Sequence, residues 1–296
     1  MRLLRSNSVQ STSLLVAYWR SLETLHAPSS KPLIQDPTAQ ILLDNLLPQE
    51  ARQEFETSPL RQIGWDMLAL RTRVIDDWLL QQGPFADNNL SEEDGNNTKR
   101  PSESGHRRQL VNLGAGMCGR PYRLNCNGIL SRVLEVELDG SLLDIKHQVL
   151  AEAGCQPTTD LISVELDLLK DSKTALSTLY ENGLEENKPT DWLAEGLFAY
   201  LDSNGHQSIF ELAGHRPQSR LAVSLFEDEC KDLFLQHGVD LPWNDDLVPC
   251  QDVIAQATSV GWELERLVQN KDWKELYGRD THLPGYNIIF FQWPEC

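Results

Sequence analysis

The sequence predicts an α/β protein with a doubly wound, mostly parallel β-sheet that follows an N-terminal helical segment. From residue 110 onward, short apolar runs typical of buried strands alternate with helical patterns of about 10–15 residues, which indicates βαβ units. Earlier in the chain, apolar residues recur at helical spacing in 38–47 and 67–82. Residues 83–109 are polar and nearly free of apolar side chains, which predicts a flexible insertion.

The pattern places six strands and two of the connecting helices in the second part of the chain. The predicted strands are 109–114, 132–138, 161–168, 190–201 (ending in a turn), 219–227 and 286–293, and the helices are 141–154 and 172–183. The chain is therefore divided into a disordered N-terminus (1–13), a helical region (14–82), the insertion (83–109) and an α/β core (110–296).

Composition narrows the classes of function. Lys and Arg total 26 against 44 Asp and Glu, and the net charge of −18 argues against a nucleic-acid partner. No apolar run approaches the roughly 18–20 residues of a membrane span. The six cysteines show neither metal-ligand spacing nor a disulfide pattern, so we expect no metal and a cytoplasmic protein with reduced thiols. The Ser-rich, acid-free first 13 residues leave organelle import open.

The stretch VNLGAGMCGRPYRL, residues 111–124, follows the first predicted strand and contains G-x-G-x-x-G at Gly114, Gly116 and Gly119. This spacing is the dinucleotide fingerprint, and an acidic residue about 20 positions later is expected with it. Glu137 and Asp139 both satisfy that expectation, but nucleoside binders share it. An NAD(P)-dependent oxidoreductase is thus one hypothesis, and a ligand without phosphate is another.

Segments along most of the chain resemble, in order, the leucine carboxyl methyltransferase-like family of class I S-adenosylmethionine (SAM) enzymes. NLGAGMCGRPYRL resembles the family's L-G-A-G-[LM]-D-T-R-x-[YW]-R-L, with Cys118-Gly119 where Asp-Thr is usual. Five further segments resemble its other motifs: SKPLIQDPTAQILLD, LRTRVIDDWLL, LEVELDGSLLDIKHQVLAE, VELDL and PTDWLAEGLFAYL. The resemblance implies a seven-stranded Rossmann-like sheet, a lid formed by residues 14–82, and SAM as cofactor with S-adenosylhomocysteine (SAH) as product.

The resemblance also implies roles for individual residues. Gly114, Ala115 and Gly116 would contact the methionine portion. Either Glu137, which is preferred, or Asp139 would bind the ribose hydroxyls. Asp167 would accept the adenine amine, and Leu168 would pack on the ring. Glu195 would face the methionine amino group or the substrate and should have a cationic partner. One of Arg71 and Arg73, with Arg73 preferred, would bind the methionine carboxylate.

The sequence does not identify a catalytic residue with certainty. Glu195, Tyr200 and His206 are candidates, and His215 lies in the same region. The expected reaction is O-methylation of a carboxylate or hydroxyl. The net charge favours a small-molecule acceptor over an acidic protein tail, although methylation of a protein C-terminus stays open. A catalytically silent SAM-binding protein is a further alternative, suggested by Cys118-Gly119.

Overall fold

The structure is a computed structural model that describes residues 9–27, 32–86, 107–124, 129–214, 216, 218–281 and 283–294. The helices are α1 (Val9–His26), α2 (Pro37–Leu46), α3 (Gln49–Glu56), α4 (Arg61–Leu80), α5 (Arg120–Arg123), α6 (Gly140–Glu152), α7 (Ser172–Glu181), α8 (Ser203–Ala213), α9 (Asp228–Gln236), α10 (Cys250–Val260) and α11 (Asn270–Tyr277). The strands are β1 (Arg108–Leu113), β2 (Leu130–Glu137), β3 (Asp160–Glu165), β4 (Thr190–Ala194), β5 (Arg220–Phe226), β6 (Glu263–Gln269) and β7 (Tyr286–Gln292).

The seven strands form one sheet in the order β3-β2-β1-β4-β5-β7-β6. Strands β1 to β5 pair in parallel, whereas β7 is antiparallel to both β5 and β6. The predicted fold class is therefore confirmed. β6 was not predicted as a strand from its pattern, because this edge strand begins with exposed charged residues such as Glu263 and Glu265.

Helices cover both faces of the sheet, and the side chains of β1 show how the two faces are separated. Leu110 packs into the cluster of buried residues that includes the N-terminal helices, while Val111 and Leu113 pack on the opposite face. The strand order reverses at β1, whose neighbours are β2 and β4. In open α/β sheets this switch point leaves a crevice at the carboxyl ends of the strands, which is where ligands bind.

The N-terminal helices pack over that end of the sheet, with α1 in contact with α2 and α4. α1 already begins at Val9, so residues 9–13 are helical and not disordered as predicted. The expectation for residues 1–8 lies outside the described part of the chain. None of the helices in the described ranges is long and apolar enough to cross a membrane.

Both ends of the predicted insertion belong to the folded protein. Gly83–Phe85 forms a turn of 3₁₀ helix whose Phe85 ring packs on Phe290 at 4.9 Å between centroids, and β1 begins at Arg108. Residues 87–106 lie outside the described residues. β3 also ends earlier than predicted, at Glu165, which leaves Asp167 and Leu168 in the loop that follows it.

Candidate functional site

A cavity of about 330 Å³ opens at the carboxyl ends of the central strands. Residues from α1 and α4 form its roof, and the loops after β1, β2, β3 and β4 form its floor. Its size falls in the range of about 300–1,000 Å³ that small-molecule sites occupy. The cavity contains most of the residues that the sequence analysis assigned to a cofactor.

The glycine turn after β1 packs against the N-terminal part of helix α1. Gly114 and Gly116 adopt positive φ angles of 64° and 46°, which favour glycine. A Cβ atom at Gly116 would come within 3.2 Å of the Ser13 Cβ of α1. The backbone of this turn, including Ala115, lines the cavity, so a ligand can approach the main chain closely.

The third glycine of the fingerprint serves a different purpose. Gly119 does not line the cavity, and a Cβ atom there would meet the Thr38 Oγ1 at 2.0 Å and the Asp36 Oδ1 at 2.8 Å. The helix that follows, α5, is a single turn of four residues. Gly119 therefore allows the loop to pack against the N-terminus of α2 and does not bring a pyrophosphate close to a helix. The dinucleotide interpretation of G-x-G-x-x-G loses its structural basis.

Gly119→Ala should lower the free energy of unfolding by about 1–3 kcal/mol, because the new methyl group overlaps Thr38. Denaturant titration of the purified protein measures this difference. Thr38→Ala added to the same chain should recover part of the loss, since it removes the overlapping hydroxyl. A Gly119→Ala protein as stable as the wild type would show that this contact is not tight.

The structure distinguishes the two ribose candidates. Glu137 ends β2, lines the cavity, and accepts a hydrogen bond from the Gly116 amide at 2.5 Å. Burial raises the pKa of Glu137, although the Gly116 amide opposes that shift. Asp139 caps α6 by accepting from the Ser141 amide at 3.0 Å; it is exposed and lies outside the cavity lining. Asp139 is therefore a helix cap and not a ligand of this cavity.

Asp167 and Leu168 both line the cavity from the loop after β3. One carboxylate oxygen of Asp167 accepts the Leu169 amide at 3.0 Å, which holds the loop in a tight turn. The neighbouring apolar surface includes the exposed side chains of Leu138 and Leu169 at the rim. This part of the site combines one acceptor with apolar walls, as a purine ring requires.

Arg71 and Arg73, two residues apart on α4, face different surroundings. Arg71 is buried and lines the cavity, with its Nε 2.6 Å from the Glu195 Oε1. Arg73, the preferred candidate from sequence, is half-buried outside the cavity lining and pairs with the Asp77 carboxylate at 2.9 Å. The structure therefore favours Arg71 over the preferred candidate Arg73, because only Arg71 of the two lines the cavity.

Glu195 has the cationic partners that its burial requires. It follows β4 and makes ion pairs with both Arg71 and Arg120. Burial disfavours the charged carboxylate, but the guanidinium groups of Arg120 and Arg71 outweigh it and lower the pKa of Glu195 to about 2. The pKa of Arg120 is raised well above its ordinary value, since Glu195 and Asp76 overcome the cost of burial. Glu195 is therefore ionised at neutral pH.

This pair is one end of a buried chain of ion pairs that joins the N-terminal helices to the sheet. The contacts after Arg120 run from Arg120 to Asp76 (2.7 Å), Asp76 to Arg123 (2.6 Å), Arg123 to Asp36 (3.7 Å) and Asp36 to Arg20 (2.8 Å). With Arg71 and Glu195 the chain holds four arginines against three carboxylates, which leaves one positive charge in excess. Both terminal arginines, Arg71 and Arg20, line the cavity, so the cavity presents this excess positive charge to a ligand.

The sequence analysis did not find this chain of charges. It included Arg120 and Arg123 only as letters of the glycine motif, whereas both bind Asp76 of α4. The sequence contained one signal for it: four of the segments that resemble the family's motifs carry charged residues that belong to this chain of ion pairs. Their partners are 16 to 124 positions away in sequence, so pairing could not be deduced from spacing.

Cys118 lies in the cavity wall and is buried, with its Sγ 3.5 Å from the Arg120 Nη1. Because this position holds a cysteine where the family's motif usually has Asp, no fourth carboxylate joins the chain of ion pairs. The excess positive charge next to the cavity is therefore retained.

The catalytic candidates occupy different places. Tyr200 lines the cavity, and burial raises its pKa even though Thr12 and Trp243 hydrogen-bond to its hydroxyl. His206 lies outside the cavity lining, stacked on Phe198 at 4.2 Å with its Nε2 2.9 Å from the Phe198 carbonyl oxygen. Burial lowers the pKa of His206, so it is a neutral packing residue and not a base for this site. His215 lies outside the described residues.

His206→Gln should keep ligand binding at the cavity within about twofold of the wild type, because Gln can still donate to the Phe198 carbonyl. Calorimetric titration of SAH into both proteins provides the comparison. A tenfold loss without any loss of stability would restore His206 as a site residue.

Comparison with known proteins agrees with this geometry. The family described as leucine carboxyl methyltransferase matches residues 95–213. A protein of Mycolicibacterium gilvum named "putative S-adenosyl-L-methionine-dependent methyltransferase" is 31% identical over 74% of this chain and 67% of its own length. A protein of the same name from Mycolicibacterium paratuberculosis is 33% identical over 74% and 64%. The first two curated relatives are matched over only 64% of their length.

The crystal structure of a DUF574 family protein from Streptomyces avermitilis superposes with a TM-score of 0.50 over 96% of this chain and 97% of that one, at 15% sequence identity. The fold is the α/β fold of class I methyltransferases. The chain belongs to the leucine carboxyl methyltransferase family of SAM-dependent methyltransferases.

Proposed function

We propose that this chain is a SAM-dependent methyltransferase that transfers a methyl group to an oxygen of a small-molecule acceptor. The observation that carries the proposal is the placement of Arg71 and Glu137 in one cavity beside the glycine turn. SAM is a nucleoside with an amino-acid tail. The Arg71 cation matches the carboxylate of that tail, and the Glu137 carboxylate matches the ribose hydroxyls of the nucleoside.

The residues in the cavity fit the parts of SAM one by one. Arg71, at one end of the chain of ion pairs with excess positive charge, would bind the methionine carboxylate as a charge-assisted pair. Glu137, at the end of β2, would accept the ribose hydroxyls. Asp167 and Leu168 would take the adenine amine and ring. The positive φ of Gly114 and Gly116 keeps the main chain open to the tail.

We assign Glu195 to positioning and not to the methionine ammonium. Both its oxygens already contact arginines, Oε1 with Arg71 and Oε2 with Arg120. A further ammonium would enter a cluster that already has excess positive charge, which is unfavourable. Glu195 would therefore hold Arg71 in the orientation that meets the carboxylate.

When bound, SAM supplies a methyl group already activated on a sulfonium sulfur. The protein then needs to align the acceptor and exclude water, which the roof of α1 and α4 would do. Among the candidate bases, Glu195 is locked between two arginines, the pKa of Tyr200 is raised and His206 is outside the cavity. These features favour a carboxylate acceptor, which is ionised at neutral pH and needs no base.

The reaction is tested by transfer of a tritiated methyl group from SAM in a cell extract, followed by separation of small molecules from protein. Label in a base-labile small molecule is the expected result, because methyl esters release methanol in alkali. Saturable SAM binding without transfer to any extract component would support a silent SAM-binding protein. Binding of NADH in place of SAH would contradict the proposal.

We further propose that the protein acts in the cytoplasm on a freely diffusing acceptor. The four cysteines in the described ranges, Cys118, Cys155, Cys230 and Cys250, are free thiols, which suits a reducing compartment. The net charge of −18 disfavours nucleic acid and acidic protein tails as partners.

A further inference from the structure

We infer that the methyl acceptor is a compact molecule with an apolar body and one polar end, and that it binds in a distinct part of the cavity. This part, the acceptor chamber, is lined by Trp19, Phe226, Phe234, Leu241 and Trp243. The inference rests on the proposed function, because it takes the rest of the cavity to be occupied by SAM.

The order of the strands in the sheet shows where the chamber lies within the cavity. Glu137 and Asp167 follow β2 and β3, on one side of β1. Phe226 ends β5, which lies on the other side beyond β4. The cavity thus continues past Glu195 to a region that the nucleoside-binding residues do not reach. An acceptor must lie beyond the methionine end of the cofactor, and the chamber is the space on that side.

The walls of the chamber are aromatic and closely packed. The Phe226 and Trp243 rings stack at 4.5 Å between centroids, and the Phe234 ring lies 5.3 Å from Trp243 and 6.4 Å from Trp19. Trp19, Phe226 and Phe234 are buried. Burial of an apolar ligand surface against such walls stabilises the complex by about 25 cal/mol per Å² of surface removed from water. Apart from the buried indole N–H of Trp19, which has no hydrogen-bond partner, the walls provide no partner for a buried polar group.

One edge of the chamber is polar. The Tyr200 hydroxyl lies there, hydrogen-bonded to Trp243 and Thr12, and Arg71 and Glu195 lie at the border with the cofactor region. A ligand with a single polar end can place it at this edge and its body against the rings. A peptide C-terminus would bring an amide N–H and a carbonyl at every residue, and the walls would leave these groups unpaired.

The chemical class is therefore a monocarboxylic acid with a ring or a branched alkyl body, with the carboxylate oxygen as the accepting atom. The oxygen forms a bond to the methyl carbon while the carbon–sulfur bond breaks and its electron pair stays on sulfur. An ionised carboxylate has no proton to release, so the step balances without a base.

Matched acceptors test this class on the purified protein with tritiated SAM. Phenylacetate and cyclohexanecarboxylate are the apolar probes, succinate and glycolate the polar ones, and a hexapeptide ending in leucine represents a protein tail. We expect kcat/KM to be at least tenfold higher for the apolar acids than for the polar acids or the peptide. Preferential methylation of succinate would overturn the inference while leaving the proposed function intact. Preferential methylation of the peptide would overturn both the inference and the small-molecule acceptor of the proposed function.

A change of chamber size gives an independent readout. Phe234→Ala should shift the ratio of kcat/KM toward a larger acid, naphthylacetate over phenylacetate, by about tenfold, since small changes in apolar volume carry discrimination of that order. Phe85→Ala is the matched control, a buried phenylalanine that packs on Phe290 outside the cavity lining. Equal ratios in both variants would contradict the chamber assignment, and unfolding curves would identify a general loss of stability.

Binding separates failure of the inference from failure of the proposed function. Calorimetry with SAH alone tests the cofactor site, and phenylacetate titrated into the SAH-saturated protein tests the chamber. SAH binding together with phenylacetate binding that Phe234→Ala alters and Phe85→Ala does not supports the chamber even without turnover. SAH binding with no phenylacetate binding rejects the chamber, and absence of SAH binding rejects the proposed function on which the chamber depends.

Discussion

Arg71→Met should weaken SAH binding by roughly 100-fold, or about 3 kcal/mol. Arg71 is a cavity-facing end of a buried chain of charges with one positive charge in excess, and methionine keeps an unbranched side chain but removes that cation. Calorimetry with SAH measures the loss. The loss should be confined to ligands with a carboxylate, so 5′-methylthioadenosine, which lacks the amino-acid tail, should bind both proteins alike.

Arg73→Met is the matched control, since the same change is made two residues along the same helix and outside the cavity lining. It should leave binding of both ligands unchanged. Equal losses for SAH and 5′-methylthioadenosine in Arg71→Met would show that the residue supports the fold of the site and does not bind the carboxylate.

Glu137→Ala should weaken binding of both SAH and adenosine by about 30-fold, because hydrogen bonds to a charged carboxylate contribute about 2 kcal/mol. Adenosine has the ribose but no carboxylate, so it should respond to Glu137 and not to Arg71. Burial raises the pKa of Glu137, and a protonated carboxyl accepts less well. The wild-type affinity for adenosine should therefore fall as the pH is lowered through that pKa, and the Glu137→Ala affinity should fall less.

Asp139→Asn is the control for this change, because it lies two residues further on and keeps a side chain able to cap α6. Adenosine binding should stay at the wild-type level. A loss in Asp139→Asn larger than that in Glu137→Ala would reverse the assignment of the ribose.

Much of the fold could be predicted from sequence because its strands are short apolar runs between turn signals. The exception, β6, begins at an exposed edge with the sequence ELER, where charge replaces the usual apolar pattern. The helix boundary at Val9 was also missed, since α1 draws its stability from packing on α2 and α4 more than from its own sequence.

The site was predictable where it depends on strand ends and less so where it depends on the packing of helices. Glu137, the preferred ribose candidate, lines the cavity because it directly ends β2. The choice between Arg71 and Arg73 needed the rotation of α4 about its axis, which the apolar pattern of a helix buried on most sides does not specify. Gly119 was interpreted through a motif, while its actual neighbours, Thr38 and Asp36, are about 80 positions away in sequence.

The structure of the protein in complex with SAH tests the central assignment most directly. We predict the ribose hydroxyls within about 3 Å of the Glu137 carboxylate and the methionine carboxylate at the Arg71 guanidinium. A nucleoside bound outside this cavity, or within it but turned so that Glu137 contacts neither hydroxyl, would contradict the account.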